Sequence, residues 1–302
     1  MCAEALHGFL NIDKPAGITS FDVIRRLKKA IGGKVKIGHL GTLDPIATGV
    51  LPVALGNATR VISLIEKSRK IYRAALCLGG VSDTDDAWGN ITLTGHSDFD
   101  PEALKEILAG LTGTIEQVPP MYSALRHQGK RLYELARQGE VIERPARQVT
   151  IHRISLLSIG QHQGLPFISL EVECSPGTYI RSLCRDIGAR LGTGAYMQAL
   201  RRLQDGSFSI EAALSLDDIV SRPEGLAGLL LPVDYPFKGW PHYCLKSEEE
   251  DNLFWHGRSF PVSGGKAAPQ ALVYNHRGVM AGIACLEPTA RGLYLKPVRV
   301  FH

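Results

Sequence analysis

Residues 38–51 combine residue types that can do chemistry with residue types that prevent regular structure. The segment holds three glycines, a proline and a carboxylate, Asp44, which Pro45 follows directly. This composition predicts a structured loop that leads into a strand at Val50. On such a loop a carboxylate either caps backbone amides or takes part in catalysis, and spacing does not separate the two. The segment matches neither a phosphate-binding loop nor a dinucleotide fingerprint, so no nucleotide cofactor is expected.

Other candidate residues each have an ordinary structural explanation. Arg181 begins a predicted helix, where an arginine is usually a surface residue, and Tyr72 lies in an aliphatic strand, where a tyrosine is usually part of the core. Asp83, Asp85 and Asp86 lie together, as carboxylates that bind Mg²⁺ or Ca²⁺ do. They lack the spacing and the distal glutamate of a Ca²⁺ loop. A structural loop is therefore favoured, and no metal is expected.

A sheet with helices packed on it is predicted to position these residues. Apolar runs predict strands at residues 8–13, 50–55, 71–78, 149–159 and 167–172, and caps or helical periodicity predict helices at residues 19–31, 59–67, 100–111 and 179–191. Several strands are neighbours in sequence, which favours an α+β fold with a mixed, largely antiparallel sheet flanked by helices. Short strands between Gly, Pro and Asn turns begin near residue 239. The predicted domains are therefore residues 1–238 and a small β-rich domain at residues 239–302.

The composition limits the class of protein. A chain of 302 residues with 44% hydrophobic and 21% charged residues is predicted to be globular, with one sizeable core. Its net charge of +4 suits a polyanionic partner. Six scattered cysteines without a C-x-x-C pair argue against disulfides and zinc, and the lack of a leader or a long apolar run argues against secretion and membrane insertion. A cytoplasmic location is expected.

Residues 38–51 resemble the catalytic motif of the TruB family of tRNA pseudouridine synthases, G-H-x-G-x-L-D-P-x-A-T-G-x-L. Further blocks of that family follow in the same order at residues 11–20, 70–74, 79–89, 119–124, 174–183 and 200–202. The resemblance extends from about residue 8 to residue 210. It implies a pseudouridine synthase fold in the larger domain. It also implies an enzyme that isomerises uridine 55 in the T arm of tRNA to pseudouridine, without a cofactor.

The resemblance implies roles for individual residues. Asp44 is the nucleophile, which attacks either the uracil ring or the anomeric carbon of the sugar, and Arg181 keeps the carboxylate ionised and oriented. Tyr72 stacks on the flipped base and takes the proton from its C5. The other implied site residues are Tyr179 and Leu200, which line the uracil pocket; His39, which fills the space of the extruded nucleotide; and Lys14, which supports the active-site loop or contacts phosphate.

Residues 120–147 form a basic stretch with interleaved aromatic residues, which resembles the RNA-gripping insertion of the family. Arg126, Lys130 and Arg131 in this 120–147 insertion are expected to contact RNA phosphates, and salt is expected to weaken the binding. Residues 239–302 resemble the small PUA-like RNA-binding domain of bacterial members. The expected partner is tRNA, and the expected state is a monomer without an obligatory protein partner.

Two other functions share these features. An RNA-folding factor would use the same pocket to flip and release a base, without chemistry at Asp44. The guide-RNA-dependent relatives of archaea and eukaryotes share the catalytic motif. Their usual lysine-rich tail is absent from this sequence, and the 120–147 insertion is present. These differences favour a stand-alone enzyme of the bacterial type.

Overall fold

The chain folds into two main β-sheets, with helices packed on the larger one, in a computed structural model that describes residues 6–32, 35–65, 69–123, 125–140, 142–290 and 292–301. The strands are β1 (Gly8–Lys14), β2 (Ile37–His39), β3 (Thr48–Leu55), β4 (Lys70–Leu78), β5 (Gly80–Ser82), β6 (Ile91–Leu93), β7 (Gly113–Gln117), β8 (Arg126–His127), β9 (Lys130–Arg131), β10 (Arg147–His162), β11 (Leu165–Cys174), β12 (Ala195–Asp205), β13 (Phe208–Ser209), β14 (Leu214–Ser215), β15 (His242–Cys244), β16 (Phe260–Val262), β17 (Ala268–Tyr274), β18 (Met280–Thr289) and β19 (Gly292–Val300). The helices are α1 (Ser20–Ile31), α2 (Pro101–Gly110), α3 (Leu132–Arg137), α4 (Ile180–Leu191), α5 (Leu216–Ser221), α6 (Leu226–Leu229) and α7 (Glu248–Trp255).

The main sheet has the order β14-β1-β3-β12-β4-β11-β10-β7, with β13 beside β12 and β2 beside β3. Its described pairs are antiparallel except β1 with β14 and β3 with β12. The two-residue turn between β10 and β11 has positive φ at Gln163 (50°) and Gly164 (81°), as a tight hairpin turn requires. The predicted α+β fold with a mixed, largely antiparallel sheet is confirmed.

The helix ends follow the capping chemistry of the sequence. The Thr19 hydroxyl accepts a hydrogen bond from Asp22 N, and the Asp22 carboxylate accepts one from Thr19 N, which makes the predicted capping box at the start of α1. Asp100 caps α2, with Pro101 in its first turn.

Among the helices of the described ranges, none combines the length and the apolar character that crossing a bilayer takes.

One predicted helix, at residues 59–67, is wrong in its described part. The chain there forms two short 3₁₀ segments, Gly56–Arg60 and Ile62–Leu64, and residues 66–68 lie outside the described residues. β-Branched side chains such as Val61 and Ile62 lower the helix propensity of this run.

The second sheet follows the short strands predicted beyond residue 239. Its order is β15-β17-β18-β19-β16. A hydrophobic cluster joins it to the main sheet, and the members of this cluster include Phe9, Phe208, Phe237, Leu272, Ile283 and Phe301. The C-terminal part is therefore β-rich, as expected, and packs directly against β1 and β13. The boundary between residues 238 and 239 stays a prediction.

Candidate active site

Asp44 lies in the loop between β2 and β3, residues 40–47, here called the Asp44 loop. Ser20, the first residue of α1, clamps this loop: its hydroxyl accepts a hydrogen bond from Leu43 N (2.9 Å) and donates one to Leu43 O (3.2 Å). The carbonyl of Asp44 accepts from Ala47 N (3.0 Å), which closes a turn around Pro45. The backbone is thus fixed by α1, and 31% of the Asp44 side chain is exposed.

The side chain of Lys14 also contacts the Asp44 loop. Its ammonium is fully buried and donates to the carbonyls of Ile18 (2.7 Å) and Pro15 (2.9 Å), with the carbonyl of Pro45 at 3.5 Å. Burial lowers the pKa of Lys14 to about 8, although the nearby Asp44 carboxylate opposes this shift. These contacts favour the loop-supporting role. Because the side chain has no exposed surface, it does not reach a phosphate in this conformation.

Arg181, from the first turn of α4, makes a two-point contact with Asp44. Its Nη2 donates to Oδ1 (3.0 Å), and its Nε lies 2.9 Å from Oδ2 as an ion-pair contact with poor hydrogen-bond alignment. The arginine side chain is only 4% exposed, so the accessible part of the pair is the Asp44 carboxylate. A planar guanidinium in this arrangement fixes the orientation of the carboxylate. The structure therefore brings together two of the residues that the resemblance singled out.

Other acceptors hold the guanidinium in place. Its Nη1 donates to Thr84 O (3.1 Å) and its Nη2 to Tyr122 O (2.8 Å), and Asp86 Oδ2 lies 4.0 Å from Nε. Asp86 itself accepts from Thr84 Oγ1 (2.8 Å) and from the backbone N of Trp88 (3.0 Å). A second carboxylate thus faces Arg181. Sequence reasoning assigned Asp86 only to a structural loop, although residues 79–89 were one of the blocks that carry the resemblance.

Opposing effects set the protonation of Asp44. Burial raises the pKa of its carboxyl group above the ordinary value, Arg181 opposes this rise, and Asp86 adds to it. A carboxylate must be ionised to act as a nucleophile. Among the neighbouring groups, the guanidinium of Arg181 gives the largest effect that favours the anion at Asp44.

Tyr72 lies on β4 and Leu200 on β12, and His39 ends β2 directly before the Asp44 loop. Tyr72 of β4 is 7% exposed and is in register with Arg202 of β12; burial raises the pKa of its phenol to about 12, against the effect of Arg202. Leu200 is also 7% exposed, and its carbonyl accepts from the hydroxyl of Thr48, the residue after the loop. Burial, with a smaller effect of Arg202, lowers the pKa of His39 at the end of β2. At neutral pH the phenol and the imidazole are thus uncharged.

Tyr179 immediately precedes α4 and is held by side chains that sequence reasoning missed. The side-chain amide of Gln117 accepts from Tyr179 N (2.8 Å) and donates to Tyr179 O (3.1 Å), and Gln117 is 1% exposed. The guanidinium of Arg147 lies 4.9 Å from the centre of the tyrosine ring, in a cation–π contact. Neither contact has a local sequence signal, because Gln117 lies 62 residues before Tyr179.

The expected RNA contacts lie on a small hairpin of the 120–147 insertion. Arg126 is in β8, and Lys130 and Arg131 are in β9. Lys130 is exposed, whereas the side chains of Arg126 and Arg131 lie outside the described residues. The insertion has its own hydrophobic cluster around Met121, Leu132 and Leu135. Its base reaches the site through the Tyr122 carbonyl.

The aspartates at residues 83–86 bind protein groups. Asp83 accepts from the backbone and the side chain of Asn90 (2.8 and 2.9 Å), and Asp85 pairs with Arg185 (2.9 Å). Within the part of the chain that the structure describes, no group of three or more His, Cys, Asp or Glu side chains is arranged to hold a metal ion.

Comparison with protein families identifies the class. The N-terminal domain of TruB family pseudouridylate synthases matches residues 28–180, and the C-terminal domain of tRNA pseudouridylate synthase B matches residues 181–238. The first match contains the Asp44 loop and Tyr72, and the second begins at Arg181. The chain therefore belongs to the class of pseudouridylate synthases.

Curated relatives agree with this class over nearly the whole chain. The tRNA pseudouridine synthase B of Syntrophomonas wolfei is 49% identical over 98% of this chain and 99% of its own length. That of Clostridium acetobutylicum is 47% identical over 89% of this chain and 88% of its own. The chain belongs to the TruB family.

Solved structures confirm the fold. A chain in the crystal structure of a Cbf5-Nop10-Gar1 complex has a TM-score of 0.71 at 26% identity and covers 99% of this chain and 86% of that chain. A chain in the structure of an H/ACA RNP bound to a substrate RNA containing 2′-deoxyuridine has a TM-score of 0.70 at 25% identity, with the same coverage.

Proposed function

We propose that the chain isomerises uridine 55 in the T arm of tRNA to pseudouridine, with Asp44 as the nucleophile. The observation that carries this proposal is the buried two-point contact of Arg181 with a carboxylate that is still 31% exposed. Relatives of 47% and 49% identity that are named tRNA pseudouridine synthase B support tRNA as the substrate. A tRNA substrate in turn places the enzyme in the cytoplasm.

The proposed reaction is an isomerisation that balances within one nucleotide. The N1–C1′ bond breaks, the uracil rotates, a C5–C1′ bond forms, and the proton on C5 is lost while N1 gains one. Asp44 forms a transient covalent bond either to C6 of the ring or to C1′, and both routes release the free carboxylate at the end. Because breaking and remaking the glycosidic bond needs only a nucleophile and a base, no cofactor is expected.

The base must leave its stack to reach Asp44, which costs a few kcal/mol and requires a pocket in exchange. We assign this pocket to Tyr72, Leu200 and Tyr179, with His39 filling the space that the base vacates in the RNA. Tyr72 is the proposed acceptor of the C5 proton. Burial raises the pKa of Tyr72 to about 12, so the phenol is protonated at neutral pH and accepts the C5 proton only as its own proton passes to another acceptor, such as N1 of the uracil.

A direct assay tests the proposal. The purified chain is incubated with an unmodified tRNA transcript, and pseudouridine is mapped at base resolution by chemical probing. Modification is expected at position 55 without any other protein or guide RNA. A matched transcript with cytidine at that position is expected to stay unmodified. Modification only elsewhere would contradict the proposed position, and activity only with a guide complex would contradict a stand-alone enzyme.

The 120–147 insertion is proposed to bind RNA phosphates through Lys130, Arg126 and Arg131. We expect Lys130→Ala to weaken tRNA binding, because the variant lacks an exposed ammonium group that attracts the polyanionic RNA. The slope of log affinity against log salt concentration is negative, and the loss of this one contact is expected to make it less steep by about 0.7–0.9. Titrations at several salt concentrations measure both effects.

Lys105→Ala is the matched control for that titration. Lys105 is an exposed lysine on α2 and pairs with Glu102 (2.7 Å). It is expected to leave the salt dependence unchanged. Equal slopes for Lys130→Ala and the native chain would remove Lys130 from the RNA interface.

A further inference from the structure

Arg202 has a fully buried side chain that fixes the backbone on both sides of Asp44. Its Nη2 donates to Gly41 O (3.1 Å) and its Nε to Val50 O (2.6 Å). The backbones are also close here: Gly49 has a φ of 99°, and a Cβ at this position would lie 2.2 Å from Arg202 O. One buried cation thus holds the start of the Asp44 loop and the strand that follows it.

Arg202 belongs to a buried ion cluster with Asp205 and Lys70. Asp205 Oδ2 lies 3.2 Å from Arg202 Nη1 and 2.9 Å from Lys70 Nζ. The side chains of Lys70 and Asp205 are 14% and 12% exposed. A Cβ at Gly41 would lie 2.9 Å from Lys70 Nζ, so the cluster lies directly against the Asp44 loop. Two cations and one carboxylate leave a net positive charge, which is costly to bury.

The charge of Arg202 acts on several of the site residues at once. It adds to the effect of burial in lowering the pKa of His39, and it opposes the effect of burial on Tyr72. Burial is the main cause of the lowered pKa of Lys14, and the charge of Arg202 lowers this pKa further, whereas Asp44 raises it. His39 directly precedes the Asp44 loop, Lys14 contacts the loop at Pro45 O, and Tyr72 is in register with Arg202. The cluster is therefore electrostatically coupled to the site.

We propose that Arg202, braced by Asp205 and Lys70, is a positioning residue that holds the Asp44 loop and supplies positive charge beneath the base pocket. This inference rests on the proposed uridine isomerisation. When the N1–C1′ bond breaks, its electron pair leaves with the uracil, which then carries negative charge. A preorganised buried cation stabilises such charge without reorganisation. Arg202 has no exposed surface and acts through the loop and its field, not by contact with RNA.

The test compares Arg202→Met with Arg202→Lys, which keeps the charge but loses the planar fork. Single-turnover rates on unmodified T-arm RNA are measured with saturating enzyme, so that the rates are independent of RNA affinity. Arg202→Met is expected to slow the reaction about 10²-fold, the size of effect that a misplaced reacting group produces. Arg202→Lys is expected to fall between this variant and the native chain.

A second readout separates the electrostatic role from a merely structural one. The pKa of His39 is measured by NMR, with its signal assigned from a His39→Gln variant. Removing a cation is expected to raise this pKa in Arg202→Met and to leave it near the native value in Arg202→Lys. Arg201→Met is the matched control, since Arg201 directly precedes Arg202 on β12, pairs with Asp13 (2.7 Å) and is 41% exposed. It is expected to keep the native rate and the native His39 titration.

Native rates and a native His39 titration in folded Arg202→Met would overturn the inference. If that variant does not fold, Arg202→Lys carries the test, and a native rate there would overturn the positioning role. A native chain that leaves the RNA unmodified fails the proposed function. An active native chain with an equally active Arg202→Met variant fails this inference alone.

Discussion

Asp44→Asn is expected to abolish pseudouridine formation, with a fall in the single-turnover rate of about 10⁴-fold or more, the scale of losing a nucleophile. Asparagine has nearly the same shape and keeps one oxygen for the 3.0 Å hydrogen bond from Arg181. The fold and the pocket are therefore expected to survive, and RNA affinity is expected to change little. The amide, however, cannot form the covalent bond. The measurement is pseudouridine formed in tRNA at saturating enzyme, beside RNA affinity and circular dichroism.

Asp83→Asn is the matched control, because it makes the same change at a carboxylate that contacts Asn90 and not Arg181. It is expected to stay within a few-fold of the native rate. If Asp44→Asn modified tRNA at the native rate, Asp44 would not be the nucleophile. If the same variant lost modification but still promoted tRNA folding as the native chain does, an RNA-folding function would exist beside the chemistry.

Local composition predicted the loop and the helix starts around the site but not the long-range contacts between site residues. The density of glycine and proline was enough to predict the Asp44 loop, and the Thr19 and Asp100 caps located helix starts, because these signals act within a few residues. The pairing of Asp44 with Arg181 joins residues 137 positions apart. Spacing alone left both residues with ordinary explanations, and only the resemblance to a family placed them together.

Arg202 and Gln117 show why the other contacts of the site could not be predicted from the sequence. Each is a single polar residue in or at the end of a strand, and each binds backbone groups whose location depends on the strand order. Arg202 reaches Gly41 and Val50 only because β12 lies between β3 and β4. The opposite error occurred at residues 59–67, where a short apolar pattern suggested a helix and the chain forms 3₁₀ segments.

Arg181 is expected to control both the rate and the pH at which Asp44 works. Arg181→Lys keeps a charge but loses the fork that reaches Asp44 and the Tyr122 carbonyl, so the chemical step is expected to slow about 10²–10³-fold. Arg181→Met removes the charge as well. Circular dichroism and RNA affinity identify any loss that comes from folding or binding. Arg185→Lys, one turn further along α4 and paired with Asp85, is the matched control and is expected to stay within a few-fold of native.

The pH dependence separates these two Arg181 variants. Attack requires the ionised carboxylate, so the rate falls as the pH drops through the pKa of Asp44. Burial already raises this pKa and the guanidinium opposes the rise, so removing the charge raises the pKa further. The acidic limb of the single-turnover rate is therefore expected at higher pH in Arg181→Met than in the native chain, with Arg181→Lys in between. An unmoved acidic limb in Arg181→Met would mean that the arginine orients the carboxylate without keeping it ionised.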